Sequence, residues 1–299
     1  MAAGKHPILV IGYGEVGHAM EYLLAARQPM QFWDIHPVAG HEAVELEQAA
    51  AHAEFVIFCI PVSPLAEVAG RVLPHLSADS ISLTVAKGLD ANGRPAPAIF
   101  DDVYAGAHDY GVLYGPMIAE EIMHGRPAFA QVGCSRPGVY ARIEALFQGS
   151  GLVLQYSDDV PGIAWSSVLK NVYAILFGAA DELALGDNVR GYLAVAAIRE
   201  MTAIVQAMGG DAATVTQLAG LGDLVTTATS SSSHHHELGR QLARGEYRDS
   251  PSEGVHTLAM VEQHDLLDRE QYPLFNLVQQ LVTERSGIEQ RIRAYMQSL

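Results

Sequence analysis

Lysine is nearly missing from this chain: its 299 residues hold three, Lys5, Lys87 and Lys170, against fifteen arginines. Surface positive charge has been given to arginine almost throughout, so a lysine inside an apolar segment is there for what a guanidinium cannot do, which is to titrate. Positive charge of either kind is short, with 18 Lys and Arg against 34 Asp and Glu and a net charge of −16. Such a surface excludes nucleic acid and anionic membrane as expected partners, and a phosphorylated ligand would need a local cluster of donors. Cysteine is limited to two, one of them Cys59 in the apolar run Phe55–Ile60, which makes neither a disulfide framework nor a zinc spacing. No apolar run reads as approaching the roughly 18 residues of a membrane span, and the N-terminus MAAGKHPILVIGYG runs into a strand pattern without a leader pattern. A reducing cytoplasm is the expected setting.

What is present begins with a short β-branched run, Ile8–Ile11, followed by Gly12-Tyr13-Gly14-Glu15-Val16-Gly17 and a helical pattern over His18–Ala26. A second strand, Met30–Trp33, ends on Asp34. A glycine triplet between strand and helix, with an acidic residue about 20 positions on, is the context a dinucleotide site requires. Gly12 serves the tight turn, Gly14 lets a pyrophosphate approach the backbone, and Gly17 lets helix pack on strand. Asp34 suits the ribose hydroxyls of NAD and repels the 2′-phosphate of NADP, and no arginine follows it. Helices over Glu42–His52 and Pro64–Leu73 alternate with strands Phe55–Ile60 and Ser82–Val85, which predicts a parallel, doubly wound sheet. Ser82–Val85 leads to Lys87, at the carboxyl end of a strand, where such sheets bind ligands. Further strands are expected at Val112–Tyr114, Phe129–Val132 and Leu152–Gln155, with a helix over Val139–Phe147.

After Ser157 the strand pattern stops and helical periodicity takes over, so residues 1–157 read as a dinucleotide-binding domain and 158–299 as a helical substrate domain. Trp165–Asn188 is apolar on every face, the mark of a buried helix, and Lys170-Asn171 sits inside it. Burial strips hydration from an ammonium and disfavours its charged form, which makes Lys170 a candidate acid/base. The alternative is a lysine that snorkels to water.

Taken together, Ala86-Lys87-Gly88-Leu89-Asp90, Gly115-Pro116 with Ala119-Glu120-Glu121, Leu169-Lys170-Asn171-Val172-Tyr173, Leu185-Gly186-Asp187-Asn188, Leu218 to Thr227 and Ser252-Glu253-Gly254-Val255 are similar in order and spacing to the NAD(P)-dependent glycerol-3-phosphate dehydrogenase family. The resemblance implies a Rossmann-type sheet followed by an all-α domain of the 6-phosphogluconate dehydrogenase-like kind, and a homodimer. It implies that Lys170 is the acid/base, Lys87 a second lysine on the substrate, and Asp223 the group that holds Lys170. By the same token Asn171, Thr227 and Gly115 match substrate positions, while Ala119 and Glu253 match cofactor contacts. The implied reaction is NAD-dependent interconversion of dihydroxyacetone phosphate and sn-glycerol 3-phosphate. The alternatives are a dehydrogenase for another small hydroxy compound and an NAD-binding protein without turnover.

Three departures bear on the substrate. Ser233-His234-His235 stands where the family has Ser-Arg-Asn to grip phosphate, and a neutral imidazole is a poor substitute for a bidentate guanidinium. Met117 replaces a small hydroxyl residue, and the chain between Asp34 and Phe55 is shorter than usual. Consecutive histidines diverge and cannot easily share a metal, so no metal site is expected. Ser230–His236 is then either a solvated, flexible loop or a contact of the protonated histidines among His234–His236, His234 and His235 foremost, to substrate or cofactor phosphate.

Overall fold

A computed structural model describes residues 8–230, 232–246 and 252–298. The chain divides into two compact units, one of residues 1–87 with 94–160 and one of residues 88–93 with 161–299. The short excursion at 88–93 was not anticipated by a single cut at 157.

The first unit is a seven-stranded sheet ordered β2-β1-β3-β4-β5-β6-β7. Its strands are β1 (Ile8–Ile11), β2 (Met30–Trp33), β3 (Phe55–Phe58), β4 (Ile81–Thr84), β5 (Asp109–Tyr114), β6 (Ala128–Gly133) and β7 (Leu152–Ser157). Its helices are α1 (Glu15–Leu24), α2 (Leu46–His52), α3 (Leu65–Val72), α4 (Ala96–Tyr104), α5 (Ala119–Met123) and α6 (Pro137–Phe147). In β1, Ile8 and Val10 enter the core that holds Met20, Leu23 and Ile143, while Leu9 and Ile11 enter the one that holds Leu46, Leu65 and Phe100. Both faces of that strand are therefore covered, which is why it reads as an unbroken apolar run. Each such residue contributes about 1.5–3 kcal/mol by burial. Parallel pairing fails at one place, where β5 and β6 run antiparallel with Val112 opposite Gly133. The connection between them holds one short helix, the five-residue α5, in place of the full crossover helix that usually joins a parallel pair.

In the second unit α7 (Val160–Glu182) is the central rod. Around it lie α8 (Asp187–Ala207), α9 (Asp223–Thr229), α10 (His234–Arg244), α11 (Glu253–Gln263), α12 (Pro273–Glu284) and α13 (Ile288–Gln297). Every residue of α7 from Gly162 to Ala180 is buried. Its 23 residues are long and apolar enough to cross a membrane, contrary to the expectation of no such run, but its apolar window is wholly buried inside the protein. The helix stops at Glu182, short of the expected Asn188, because Ala184 and Gly186 take positive φ angles and Asp187 opens α8. At Gly178 a side chain would overlap the His236 carbonyl, and at Gly239 that of Ile175, so α7 and α10 meet backbone to backbone. The buried start of α12 is satisfied from α8: Glu200 accepts the N–H groups of Leu274 at 2.6 Å and Phe275 at 2.8 Å, and the Tyr173 hydroxyl at 2.9 Å. Residues 88–93 belong to this unit through Leu89, fully buried in its core, and through the His264 ring on the Ala91 carbonyl at 2.9 Å.

Candidate functional site

In the first unit the predicted glycines divide by what surrounds them. Gly12 turns the chain at φ +94°, and a Cβ there would stand 2.6 Å from the Cys59 carbonyl oxygen. Gly17 abuts the Gly12 carbonyl, which a Cβ would overlap. Gly14, the N-cap of α1, has no atom within 4 Å of its Cβ position. Gly12 and Gly17 are thus fixed by packing, whereas Gly14 keeps the space over the first N–H groups of α1 bare, as an incoming pyrophosphate requires.

Asp34 closes the same corner. Its Oδ2 accepts the Tyr13 N–H at 2.8 Å and its Oδ1 accepts the His36 N–H at 3.1 Å, so the carboxylate is locked at the end of β2. Beside it lies a cavity of about 240 Å³ lined in part by Phe32, Ile35, Pro37, Val38 and Val44. An apolar cavity next to an acidic end of β2 fits the nucleoside half of a dinucleotide. The Tyr13 hydroxyl bonds Glu21 and the His41 ring; burial and the Glu21 carboxylate push its pKa up to about 12.

Lys87 is half-buried and is the last residue of the first unit before the 88–93 excursion. The peptide that precedes it is held by the Tyr114 hydroxyl, which donates to the Ala86 carbonyl at 2.6 Å. Gly115 presses on β6, where a Cβ would lie 2.6 Å from the Phe129 carbonyl oxygen, so that glycine has a packing reason of its own. Ala119 is buried at the start of α5.

In the second unit the structure brings the predicted residues together. Lys170 Nζ donates to Thr227 Oγ1 at 2.8 Å and pairs with Asp223 Oδ1 at 3.2 Å. Thr227 Oγ1 lies 3.4 Å from the same carboxylate oxygen, one helical turn along α9. Lys170 does not snorkel: its side chain is 8% exposed and that of Asp223 4%. Asn171 donates through Nδ2 to Glu253 Oε2 at 3.0 Å, which places Glu253, matched to a cofactor contact, on the asparagine. Asn171 Oδ1 is buried and has no hydrogen-bond partner among the described residues. A buried acceptor in that state is open to a donor from water or from a ligand.

Ser233-His234-His235 opens a helix rather than forming a loop; of the expected loop Ser230–His236, Ser231 lies outside the described residues. Ser233 caps α10 by accepting the His236 N–H at 3.3 Å, and His234 to His236 form its first turn. His234 is exposed. His235 Nε2 accepts the Gly254 N–H at 3.2 Å. His236, the last of the three histidines, is buried and bonded to Asp181 Oδ2 at 2.8 Å. The serine followed by a helix-forming run was a readable cap signal, but nothing local announces a partner 55 residues away. Among the described residues no three His, Cys, Asp or Glu side chains gather as a metal would require.

A glycine-lined helix N-terminus with an acidic strand end, followed by a helical unit that buries a lysine, defines a dinucleotide-dependent oxidoreductase of the two-domain kind. Residues 35–139 match the family described as NAD-dependent glycerol-3-phosphate dehydrogenase N-terminus, and residues 159–293 the one described as its C-terminus. The chain belongs to the NAD-dependent glycerol-3-phosphate dehydrogenase family, enzymes that act on a CH–OH group. It is 34% identical to a glycerol-3-phosphate dehydrogenase [NAD(P)+] of Agrobacterium fabrum, over 82% of each chain. With a protein of the same description from Nitrosomonas eutropha the identity is 30% over 96% of each chain. In fold it is similar to the crystal structure of glycerol-3-phosphate dehydrogenase from Coxiella burnetii, with a TM-score of 0.85 at 24% identity, covering 98% of this chain and 99% of that one.

Proposed function

We propose that this protein interconverts dihydroxyacetone phosphate and sn-glycerol 3-phosphate with NAD, using Lys170 as general acid in reduction and general base in oxidation. The observation that carries this reading is the buried Lys170 ammonium, paired with Asp223 and set one residue from the unpartnered amide oxygen of Asn171. Gly12, Gly14, Gly17 and Asp34 would hold the dinucleotide, with Ala119 assigned beside them by resemblance alone, and when bound it supplies or receives the hydride.

Lys170 gives its proton to the carbonyl oxygen as negative charge develops there, a contribution of about 10²–10⁴-fold in rate. Asp223 supplies the counter-charge that lets an ammonium exist in a buried site, and Thr227 fixes its direction. Asn171 Oδ1 accepts a substrate hydroxyl, which a carbonyl compound without that hydroxyl cannot offer. Lys87 is assigned to the substrate as a second cation, with Gly115 beside it. NAD is favoured over NADP because a carboxylate at the end of β2 attracts ribose hydroxyls and repels a 2′-phosphate. The protein is taken to work as a homodimer in a reducing cytoplasm, where its two free cysteines would stay reduced.

A second reading rests on the histidines. His235 and His236 are committed to Gly254 and Asp181, which leaves only the exposed His234, in the arginine's place, to meet a phosphate, and an imidazole is a poorer grip than a bidentate guanidinium. That favours a small hydroxy compound without phosphate. The test is NADH oxidation with dihydroxyacetone phosphate beside unphosphorylated dihydroxyacetone. Turnover of the ester alone supports the first reading, preference for the free ketone supports the second, and NADH binding with no oxidation of either overturns both.

A further inference from the structure

We propose that His235 is a positioning residue for the Lys170–Asn171 site and that it works as a neutral hydrogen-bond acceptor, not as a cation on phosphate; the proposal rests on the functional reading above. A ring nitrogen that accepts an N–H carries no proton, so the bond from Gly254 to Nε2 requires a neutral imidazole with its proton on Nδ1. Gly254 is the second residue of α11, one of the first-turn N–H groups that a helix cannot satisfy from within.

That glycine is a wedge. A Cβ on it would lie 2.8 Å from the Asn171 carbonyl oxygen and 3.0 Å from His235 Cδ2, so the backbone of α11 is seated between the ring and α7. The residue before it, Glu253, takes the Asn171 amide N–H, and this fixes which end of the amide is which. With Nδ2 committed to Glu253, Oδ1 is the atom left as acceptor. His235 therefore sets Gly254, Gly254 sets Glu253, and Glu253 sets the orientation of Asn171 beside Lys170.

The bracket that carries His235 is itself held. Ser233 caps its turn, His236 bonds Asp181 near the end of α7, and the His236 carbonyl fits the space that Gly178 leaves. Protonation of His235, or a cation in its place, would put a donor against the Gly254 N–H.

The experiment compares His235→Ala, His235→Gln and His235→Lys with the unaltered protein, using NADH and dihydroxyacetone phosphate. Gln carries an acceptor oxygen close to where Nε2 lies, whereas Lys carries donors only. His235→Ala is expected to lower kcat about 10- to 100-fold with NADH affinity unchanged, since small displacements of positioning groups cost that much. Gln should recover most of the loss and Lys none. Recovery by Lys and not by Gln would overturn the proposal in favour of a cationic contact to substrate, as would unaltered kinetics in all three. If His235→Ala fails to fold, the Gln and Lys pair decides. Independently of turnover, ¹⁵N spectra of the His235 ring near neutral pH should show the Nδ1–H tautomer; an imidazolium or an Nε2–H ring would overturn the proposal. An unaltered protein inactive on dihydroxyacetone phosphate would instead overturn the functional reading, leaving the ring spectrum to judge His235.

Discussion

Lys170 and Asp223 form an ion pair 3.2 Å long between α7 and α9, with both side chains almost wholly removed from solvent. Attraction within such a pair roughly offsets the cost of desolvating two charges, so its value lies in placing an ammonium where water would not leave one. Removing one partner is a different matter, because the other is left charged and buried.

Asp223→Asn is therefore expected to destabilise the protein by about 3–5 kcal/mol and to abolish turnover. The double variant Lys170→Met with Asp223→Asn should recover most of that stability and none of the activity. Urea unfolding of the two variants, run beside a steady-state assay, checks both. Equal stability of single and double variants would show that the pair carries no buried charge.

The glycine triplet gives a separable prediction. Gly17→Ala drives a Cβ into the Gly12 carbonyl and should destabilise the first unit by about 1–3 kcal/mol through overpacking. Gly14→Ala meets nothing within 4 Å, so it should cost about 1 kcal/mol or less as a poorer helix cap while weakening NADH at least about tenfold. Thermal unfolding and fluorescence titration with NADH distinguish the two. A Gly14→Ala protein that binds NADH normally would remove that glycine from the cofactor site.

At Asp34 the expectation concerns selectivity. Asp34→Ala deletes a carboxylate whose hydrogen bonds to a ribose are worth about 1.5–3 kcal/mol, and with it the charge that opposes a 2′-phosphate. The ratio of kcat/KM for NADH over NADPH should fall by about 10- to 100-fold. The Tyr13 and His36 N–H groups lose their acceptor as well, so the ratio rather than the absolute rate is the quantity to measure.

Much of this was legible in the chain because it is local. A strand that stops at Gly12, a glycine triplet, and Asp34 at the next strand end announce a dinucleotide corner within 23 residues. Lys170 stood out because lysine is scarce and its helix is apolar on all sides. What escaped was non-local or disguised. Helix α4 begins at Ala96 beside Pro95 and Pro97, residues that read as breakers yet serve well in a first turn. Residues 88–93 join the second unit through Leu89 and Ala91, contacts that no periodicity encodes. Three histidines after four serines have the composition of a loop, and beside the Ser233 cap it is Asp181 and Gly254, far off in sequence, that hold them as a helix start.

One stability prediction falls outside the site. His108 is buried against Tyr104, its ring 5.1 Å from the tyrosine ring, and burial pulls its pKa down to about 4. The unfolded chain, with a pKa near 6.5, binds the proton first, so stability is full above about pH 6.5, falls as pH drops towards 4, and changes no further below that. The loss is on the order of 1 kcal/mol, allowing for partial solvation of the ring. His108→Leu should flatten this part of the profile. Urea midpoints above and within that window, for both proteins, provide the comparison.

The most direct test is turnover of dihydroxyacetone phosphate by Lys170→Ala, with NADH binding measured on the same preparation. We expect NADH to bind as in the unaltered protein and kcat to fall by about 10²–10⁴-fold, the contribution of a general acid. A variant that binds NADH and keeps more than about a tenth of the activity would contradict the assignment, because no group delivering the transferred proton can be lost so cheaply.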